Sequence, residues 1–246
     1  MQHRGPSVVK SVFSGSRNST ALVSNPPFIN PGPSINHPNT MDGLLLLKNI
    51  RDNSISAAFF DPQYRGIMDK MKYGNEGKRQ VERALLNQMD DDSILQFMAE
   101  ISRVLANSGH LFLWIDKFHL CQGITRWTES AELHIVDLVT WDKGRIGMGY
   151  RTRRKSEYLL ILQKAPVRAK GIWTKHDIPD IWTEKIDTKA HPHQKPFGLQ
   201  KALIESVSAE NEYIIDPCAG SYSVLAACLA AGRNFIGSDL RPAITV

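Results

Sequence analysis

Three short segments carry the side chains able to do chemistry. Asp61-Pro62-Gln63-Tyr64 joins an acceptor carboxylate, a rigid proline and an aromatic ring, directly after the apolar run Ile55-Ser56-Ala57-Ala58-Phe59-Phe60. Such a set suits holding a flat, amine-bearing ring against a reactive centre. Asp216-Pro217-Cys218-Ala219-Gly220-Ser221 reads as a cofactor loop, and His191-Pro192-His193-Gln194-Lys195-Pro196 lies between the two. Asp-Pro also opens ordinary turns, so the combination carries the information rather than the tetrapeptide alone.

The cofactor reading follows from the elements around the loop. Strand, glycine turn, helix, strand and acid form the pattern of an adenosine-binding unit. Tyr213–Asp216 is the expected first strand, Ser221–Ala231 a helix closed by Gly232, and Asn234–Asp239 the second strand. Asp239 follows Asp216 by 23 residues (239 − 216), near the ~20-residue offset of an acid that binds ribose hydroxyls. Ala219-Gly220-Ser221-Tyr222 holds one glycine, too few for a pyrophosphate cradle. That disfavours NAD and a dehydrogenase, and leaves a nucleoside ligand without phosphates. Taken alone, the same segment also fits a tight strand-to-helix turn of any α/β protein.

The elements that must position these groups are legible in part. Residues 1–40 are rich in Ser, Asn, Pro and Gly and read as an extended arm. Within it, Asn25-Pro26-Pro27-Phe28 resembles a second catalytic tetrapeptide but lacks a good strand before it. Met41–Ile50 reads as a strand end and a helix, and Ile55–Phe60 as a buried strand delivering Asp61. Ile94, Leu95, Met98, Ile101, Val104 and Leu105 recur at helical spacing after Asp90-Asp91-Asp92, with Asn107-Ser108-Gly109 as the expected stop. Strands are expected at His110–Ile115, His134–Trp141 and Glu157–Gln163, with a mixed helix to about Ala131 after the first. Residues 164–190 lack periodicity and read as an insertion. Pro196 is expected in the first turn of a helix presenting Leu199, Ala202, Leu203 and Val207. Strands alternating with helices predict an α/β fold with a doubly wound, mostly parallel sheet.

Bulk properties narrow the class. The chain has 246 residues, 42% hydrophobic and 22% charged, as for a soluble globular domain with a small insertion. No apolar run approaches the ~20 residues of a membrane span, and no signal core opens the chain. Cys121, Cys218 and Cys228 show no paired spacing, which favours a reducing cytoplasm. Neither His191-Pro192-His193 nor His119-Leu120-Cys121 has partners at metal-ligand spacing, so no metal is expected. The net charge of +5 favours a polyanion, with Arg151, Arg153, Arg154, Lys155, Lys170 and Lys175 as candidate contacts. A merely solvated charged face remains the plainer alternative. Of the tryptophans, Trp173 and Trp182 are the candidates for a role at the substrate, because both lie in the insertion.

The order of these motifs is similar to that of the β class of DNA amino-methyltransferases. In that class a catalytic Asp-Pro-Pro-Tyr comes before the recognition region. A His-Pro-Thr-Gln-Lys-Pro-like segment and an Asp-Pro-Phe-Ala-Gly-Ser-like cofactor loop follow, a circularly permuted order. Trp141-Asp142-Lys143-Gly144, Gly147-Met148-Gly149-Tyr150 and Glu157-Tyr158 resemble the segment before the recognition region. Gln63, Cys218 and Tyr222 depart from the usual residues.

The resemblance covers residues from about 40 onward. It implies a Rossmann-like methyltransferase domain with a catalytic half at 41–163, a recognition insertion at 164–190 and a cofactor half at 191–246. It implies S-adenosylmethionine as cofactor and double-stranded DNA as partner. Asp61, Pro62, Gln63 and Tyr64 would be catalytic. Asp42 would reach the cofactor's adenine, Asp239 its ribose, and Lys195 with Ser221 its methionine end, alongside Pro196, Asp216, Cys218, Ala219 and Gly220. The expected reaction is methylation of adenine N6. Alternatives are cytosine N4, an RNA substrate, or a non-catalytic DNA-binding subunit of the same fold. The small insertion points to a homodimer.

Overall fold

A computed structural model describes residues 27–29, 32–63, 89–147, 151–186 and 194–241. Tyr64 and His191–His193 lie outside the described residues, as do Asn25 and Pro26. In chain order the elements are β1 (Asn39–Thr40), α1 (Gly43–Lys48), β2 (Ile55–Phe60), α2 (Asp91–Val104) and β3 (Leu105–Ile115). Next come α3 (Lys117–Gln122), α4 (Thr125–Ser130), β4 (Leu133–Asp142), β5 (Ser156–Lys164) and β6 (Ile181–Thr183). The last four are α5 (Phe197–Val207), β7 (Tyr213–Asp216), α6 (Ser223–Ala230) and β8 (Asn234–Asp239).

The strands form one sheet in the order β1-β8-β7-β2-β3-β5-β4-β6. All neighbours run parallel except where β5 opposes β3 and β4. β2 shows why the fold is doubly wound. All six of its residues are buried, since neither face meets water. Ala58 and Phe60 join Leu46, Leu47, Met98 and Ile101 of α1 and α2 on one face. Ala57 and Phe59 join Leu199, Leu203, Val224 and Ala227 of α5 and α6 on the other.

The topology fixes where a ligand can bind. From β2 the chain moves to β3 on one side, and from β7 to β8 on the other. β2 and β7 are neighbours, with Ala57 opposite Ile214 and Ala58 opposite Ile215. The order therefore reverses between these two strands, and in open α/β sheets the ligand crevice lies outside the carboxyl ends at such a point. Asp61 and Asp216 stand at that end.

α2 begins as the triple aspartate predicts, with Asp90 accepting the Ser93 N–H at 2.8 Å. Its end differs from expectation. The helix stops at Val104, and Asn107-Ser108-Gly109 falls inside β3. There β3 advances from Leu105 to His110 while β2 advances only from Ile55 to Ala57, so the three residues form a bulge. The expected mixed helix is two short helices parted by Gly123 at φ +86°. Pro196 precedes α5 rather than entering its first turn. The exposed helix start is capped instead by the Glu184 carboxylate, which accepts from Gly198 and Leu199 N–H.

The segment after β5 is not a detached lobe. β6 pairs with β4, Ile172 is buried, and Trp141 Nε1 donates to the Glu184 carbonyl at 2.8 Å. Residues 36–40 dock on β8, with Asn36 N–H donating to the Phe235 carbonyl at 2.8 Å. Phe28 bridges Ile50, ahead of the amino end of β2 and away from Asp61.

Candidate active site

Asp61 leaves β2 at the crevice with its side chain 30% exposed. Pro62 behind it is buried, and the Gln63 carbonyl accepts the Met89 N–H at 2.9 Å. Lys195, from the other half of the chain, places Nζ 3.0 Å from Asp61 Oδ2 and 2.9 Å from Glu157 Oε2. Lys143 Nζ lies 2.5 Å from the other Glu157 oxygen, Oε1. The Lys195 ammonium also lies 4.6 Å from the Trp114 ring centroid, and Trp114 meets Trp141 edge-on at 6.0 Å. The resemblance assigns Lys195, with Ser221, to the methionine end of the donor. The structure joins it to the Asp61 carboxylate.

Burial shifts these groups, and the ion pairs decide the outcome. Burial raises the Asp61 carboxyl above its ordinary value, with the Lys195 charge opposing. Burial also raises Glu157, but Lys195 and Lys143 outweigh it and hold that carboxyl well below the usual carboxylate range. Burial lowers Lys195, yet Asp61 and Glu157 more than restore it, so the ammonium stays charged.

The Asp216–Tyr222 turn, the expected cofactor loop, packs beside this cluster. Asp216 is buried, its Oδ1 accepts the Cys218 N–H at 3.1 Å, and burial pushes its carboxyl up to about 8. Burial likewise pushes the Cys218 thiol well up, as do the nearby charges of Asp216, Asp239 and Asp61. Ala219 N–H donates to the Ser238 carbonyl at 2.9 Å. Gly220 has φ +48°, and its N–H donates to Asp239 Oδ2 at 3.0 Å. Asp239 Oδ1 accepts the Arg241 N–H at 3.0 Å, so the half-exposed carboxylate keeps lone pairs for hydroxyl donors. Ser221 is half-buried at the turn, and Tyr222 is left-handed at φ +55° with its hydroxyl donating to the Asn39 carbonyl at 2.8 Å. Asp42 caps α1 through Leu44 and Leu45 N–H, and the N–H of the preceding residue, Met41, donates to the Asp239 carbonyl.

The basic residues divide into two groups. β4 ends and β5 begins at the crevice, so Arg151, Arg153, Arg154 and Lys155 lie on the turn at that end, all exposed. Arg153 Nε donates to the Gly147 carbonyl, and Lys155 pairs with Asp142 at 2.7 Å. Lys170 and Lys175 do not join them. β5 runs against its neighbours and releases the chain at the opposite end. There Trp173 packs on His110, and Lys175 pairs with Glu205 at 2.5 Å. Trp173 and Trp182 pack against the core beneath α5, and Trp182 Nε1 donates to Glu184 at 2.8 Å. Sequence reasoning missed Glu157, Lys143 and Trp114 as site residues. For Glu157 a signal existed: an acid at the head of the largely apolar run Glu157–Gln163 needs a cationic partner.

The family model N6_N4_Mtase, described as DNA methylase, matches residues 55–245. The type II methyltransferase M.HhaII of Haemophilus parahaemolyticus is 54% identical over 208 residues, covering 84% of this chain and 91% of that protein. M2.MboI of Moraxella bovis, also a type II methyltransferase, is 23% identical over 219 residues, 78% of each chain. Among solved structures, the cytosine-N4-specific PvuII DNA methyltransferase has a TM-score of 0.63 at 16% identity, covering 85% of this chain and 83% of that one. The M1.HpyAVI–SAM complex has a TM-score of 0.59 at 17% identity, covering 83% and 93%. These two likenesses speak to the fold, whereas the identity to M.HhaII and the extent of the family match go further: the chain belongs to the N6/N4 DNA methylase family.

Proposed function

We propose that this chain methylates the exocyclic N6 of adenine in duplex DNA with S-adenosylmethionine as donor. The carrying observation is the adjacency of Asp61, at the end of β2, to the Asp216–Tyr222 turn, at the end of β7, where the connections diverge.

The residues of the turn fit such a donor. A phosphate-free nucleoside asks for a carboxylate at its ribose, and Asp239 retains acceptor capacity beside the Gly220 N–H. Asp42 stands one residue from the peptide bonded to Asp239, where an acceptor for an adenine amine is needed. The charges of Asp61 and Asp239 both reach the buried Asp216 carboxyl, a setting that favours a cation. When bound, the donor supplies a methyl group on a positively charged sulfur.

The chain's own groups do the rest. An adenine amine is a poor nucleophile because its lone pair is delocalised into the ring. The Asp61 carboxylate accepts one N–H and the Pro62 carbonyl the other, which turns the lone pair toward the methyl group. The acceleration comes from orientation and fixed charge, with no covalent enzyme adduct. Extruding the base costs a few kcal/mol. Stacking on Tyr64 returns about 1–3 kcal/mol of this. Arg151 and Arg154 at the β4–β5 turn contact phosphates.

Cytosine N4 is the second reading, favoured by the fold shared with the cytosine-N4-specific PvuII enzyme. An acid at the head of the tetrapeptide leans to adenine. Incubation with labelled donor and either duplex DNA or RNA, followed by mass spectrometry of nucleosides, tests both. N6-methyladenine in DNA is expected. N4-methylcytosine transfers the case to the second reading, and label in neither nucleic acid overturns both.

A further inference from the structure

Glu157 has no role in the chemistry above, yet its carboxylate bridges two ammonium groups. Lys143 Nζ lies 2.5 Å from Oε1 and Lys195 Nζ 2.9 Å from Oε2. Lys195 continues to Asp61 Oδ2 at 3.0 Å. Four charges thus alternate in sign from the β4–β5 turn to the carboxylate at the end of β2. Lys195 is only 14% exposed, so this is no solvent-screened surface pair.

We infer that Glu157 is a positioning residue for methyl transfer: it divides the hydrogen bonds of Lys195 between two carboxylates, which fixes Asp61 and leaves it a competent acceptor for the substrate amine. The inference deepens the functional reading given above and rests on it for the identity of the amine.

The argument is one of balance. An ammonium has three N–H donors and no acceptor. Lys195 directs two of them at Asp61 and Glu157 and lies against the Trp114 ring. Without Glu157, Lys195 would commit its charge to Asp61, which would become a weaker base and a poorer acceptor. Without Lys195, the two carboxylates would repel each other in a poorly solvated site and Asp61 would take up a proton more readily. The groups facing Asp61 are Lys195, Glu157, Asp216 and Cys218, and those facing Glu157 are Lys143, Lys195 and Asp61 itself. Lys143 holds the second Glu157 oxygen, so Glu157 is not drawn wholly onto Lys195.

The two alterations must therefore move Asp61 in opposite directions. Carboxyl 13C titration by NMR, with the Asp61 signal identified from Asp61→Asn, measures this on the full chain without turnover. Glu157→Gln lowers the Asp61 midpoint and Lys195→Gln raises it, each by about one unit, tenfold in the ionisation constant. Lys143→Gln also raises it, which preserves the test should Glu157→Gln fail to fold. In steady state, Glu157→Gln lowers kcat about tenfold with both KM values within about twofold. An Asp61 midpoint unmoved in Glu157→Gln or Lys143→Gln overturns the inference, and so does a raised KM at constant kcat. A chain that methylates no nucleic acid defeats the functional reading instead, because the titration does not depend on turnover.

Discussion

Gly43 stands so close to Pro217 that a Cβ built on it would lie 2.2 Å from the Pro217 carbonyl oxygen. Phe97 Cε1 would lie at 2.9 Å on another side. The start of α1 is therefore pressed onto the turn after β7, with no room for even a methyl group. Gly43→Ala should push α1 and its Asp42 cap away from that turn. Overpacking of this kind costs about 1–3 kcal/mol. Thermal denaturation should show a melting temperature lower by about 2–10 °C. Calorimetry should also show weaker donor binding, and unchanged values in both assays would mean that α1 yields freely.

Asp61→Ala should separate binding from chemistry. Asp61 lies outside the Asp216–Asp239 unit, so S-adenosylhomocysteine should bind within about twofold of wild type, while the transfer rate falls about 10²–10³-fold. Calorimetry and a methyl-transfer assay check the pair. Retained transfer would place the chemistry elsewhere.

The acid limb of the rate profile should lie high for a carboxylate. In the proposed mechanism Asp61 acts when ionised, and burial raises its carboxyl despite Lys195. Activity should thus fall as pH drops through a midpoint above the ordinary aspartate value of about 3.9. The pH dependence of kcat/KM measures it directly.

Asp216 makes a separate prediction about stability. Its folded carboxyl is pushed up to about 8, while the unfolded value is about 3.9. The folded state then holds a proton that the unfolded state has released. Stability contributed by this group is full below the unfolded value and is lost as pH rises toward about 8. Asp216→Asn keeps an acceptor for the Cys218 N–H and removes the titration. Urea unfolding from about pH 5 to about pH 8 should give a flatter dependence for the variant than for wild type. Parallel curves would show that Asp216 is charged throughout.

The two basic groups should behave differently toward DNA. Arg151→Ala at the crevice end should weaken binding across sequences and reduce the slope of log affinity against log salt by about 0.9. Lys175→Ala should leave the slope unchanged, because Lys175 pairs with Glu205 at the opposite end of the sheet. Binding measured at several salt concentrations decides. An equal reduction in both would mean that DNA wraps around the sheet edge.

What was legible in the sequence tracks the range of the interactions. The β2 run, the capped start of α2 and the turn after Asp216 are written in neighbouring residues, and each forms where local pattern places it. The Lys195–Asp61 pair joins residues brought together only by strand order, and Lys143–Glu157 depends on the register of the β4–β5 pairing, so spacing could not reveal them. The grouping of Lys170 and Lys175 with Arg151–Lys155 failed for a related reason. Nearness along the chain says nothing of which end of a sheet a residue reaches once β5 reverses direction. Asn107-Ser108-Gly109 reads as a helix stop because the same residue types serve helix ends and strand bulges alike.

Asn39 and Ser238 face each other across β1 and β8, and the Met41 N–H donates to the Asp239 carbonyl. Residues 39–41 thus lie beside β8, the strand that follows the Asp216–Tyr222 turn. The segments after β2 and after β7 therefore meet through strand order, whichever of them is translated first. The neighbourhood of Asp61 and Asp216 is set by the β2–β7 pairing and not by the order in which the two motifs are read.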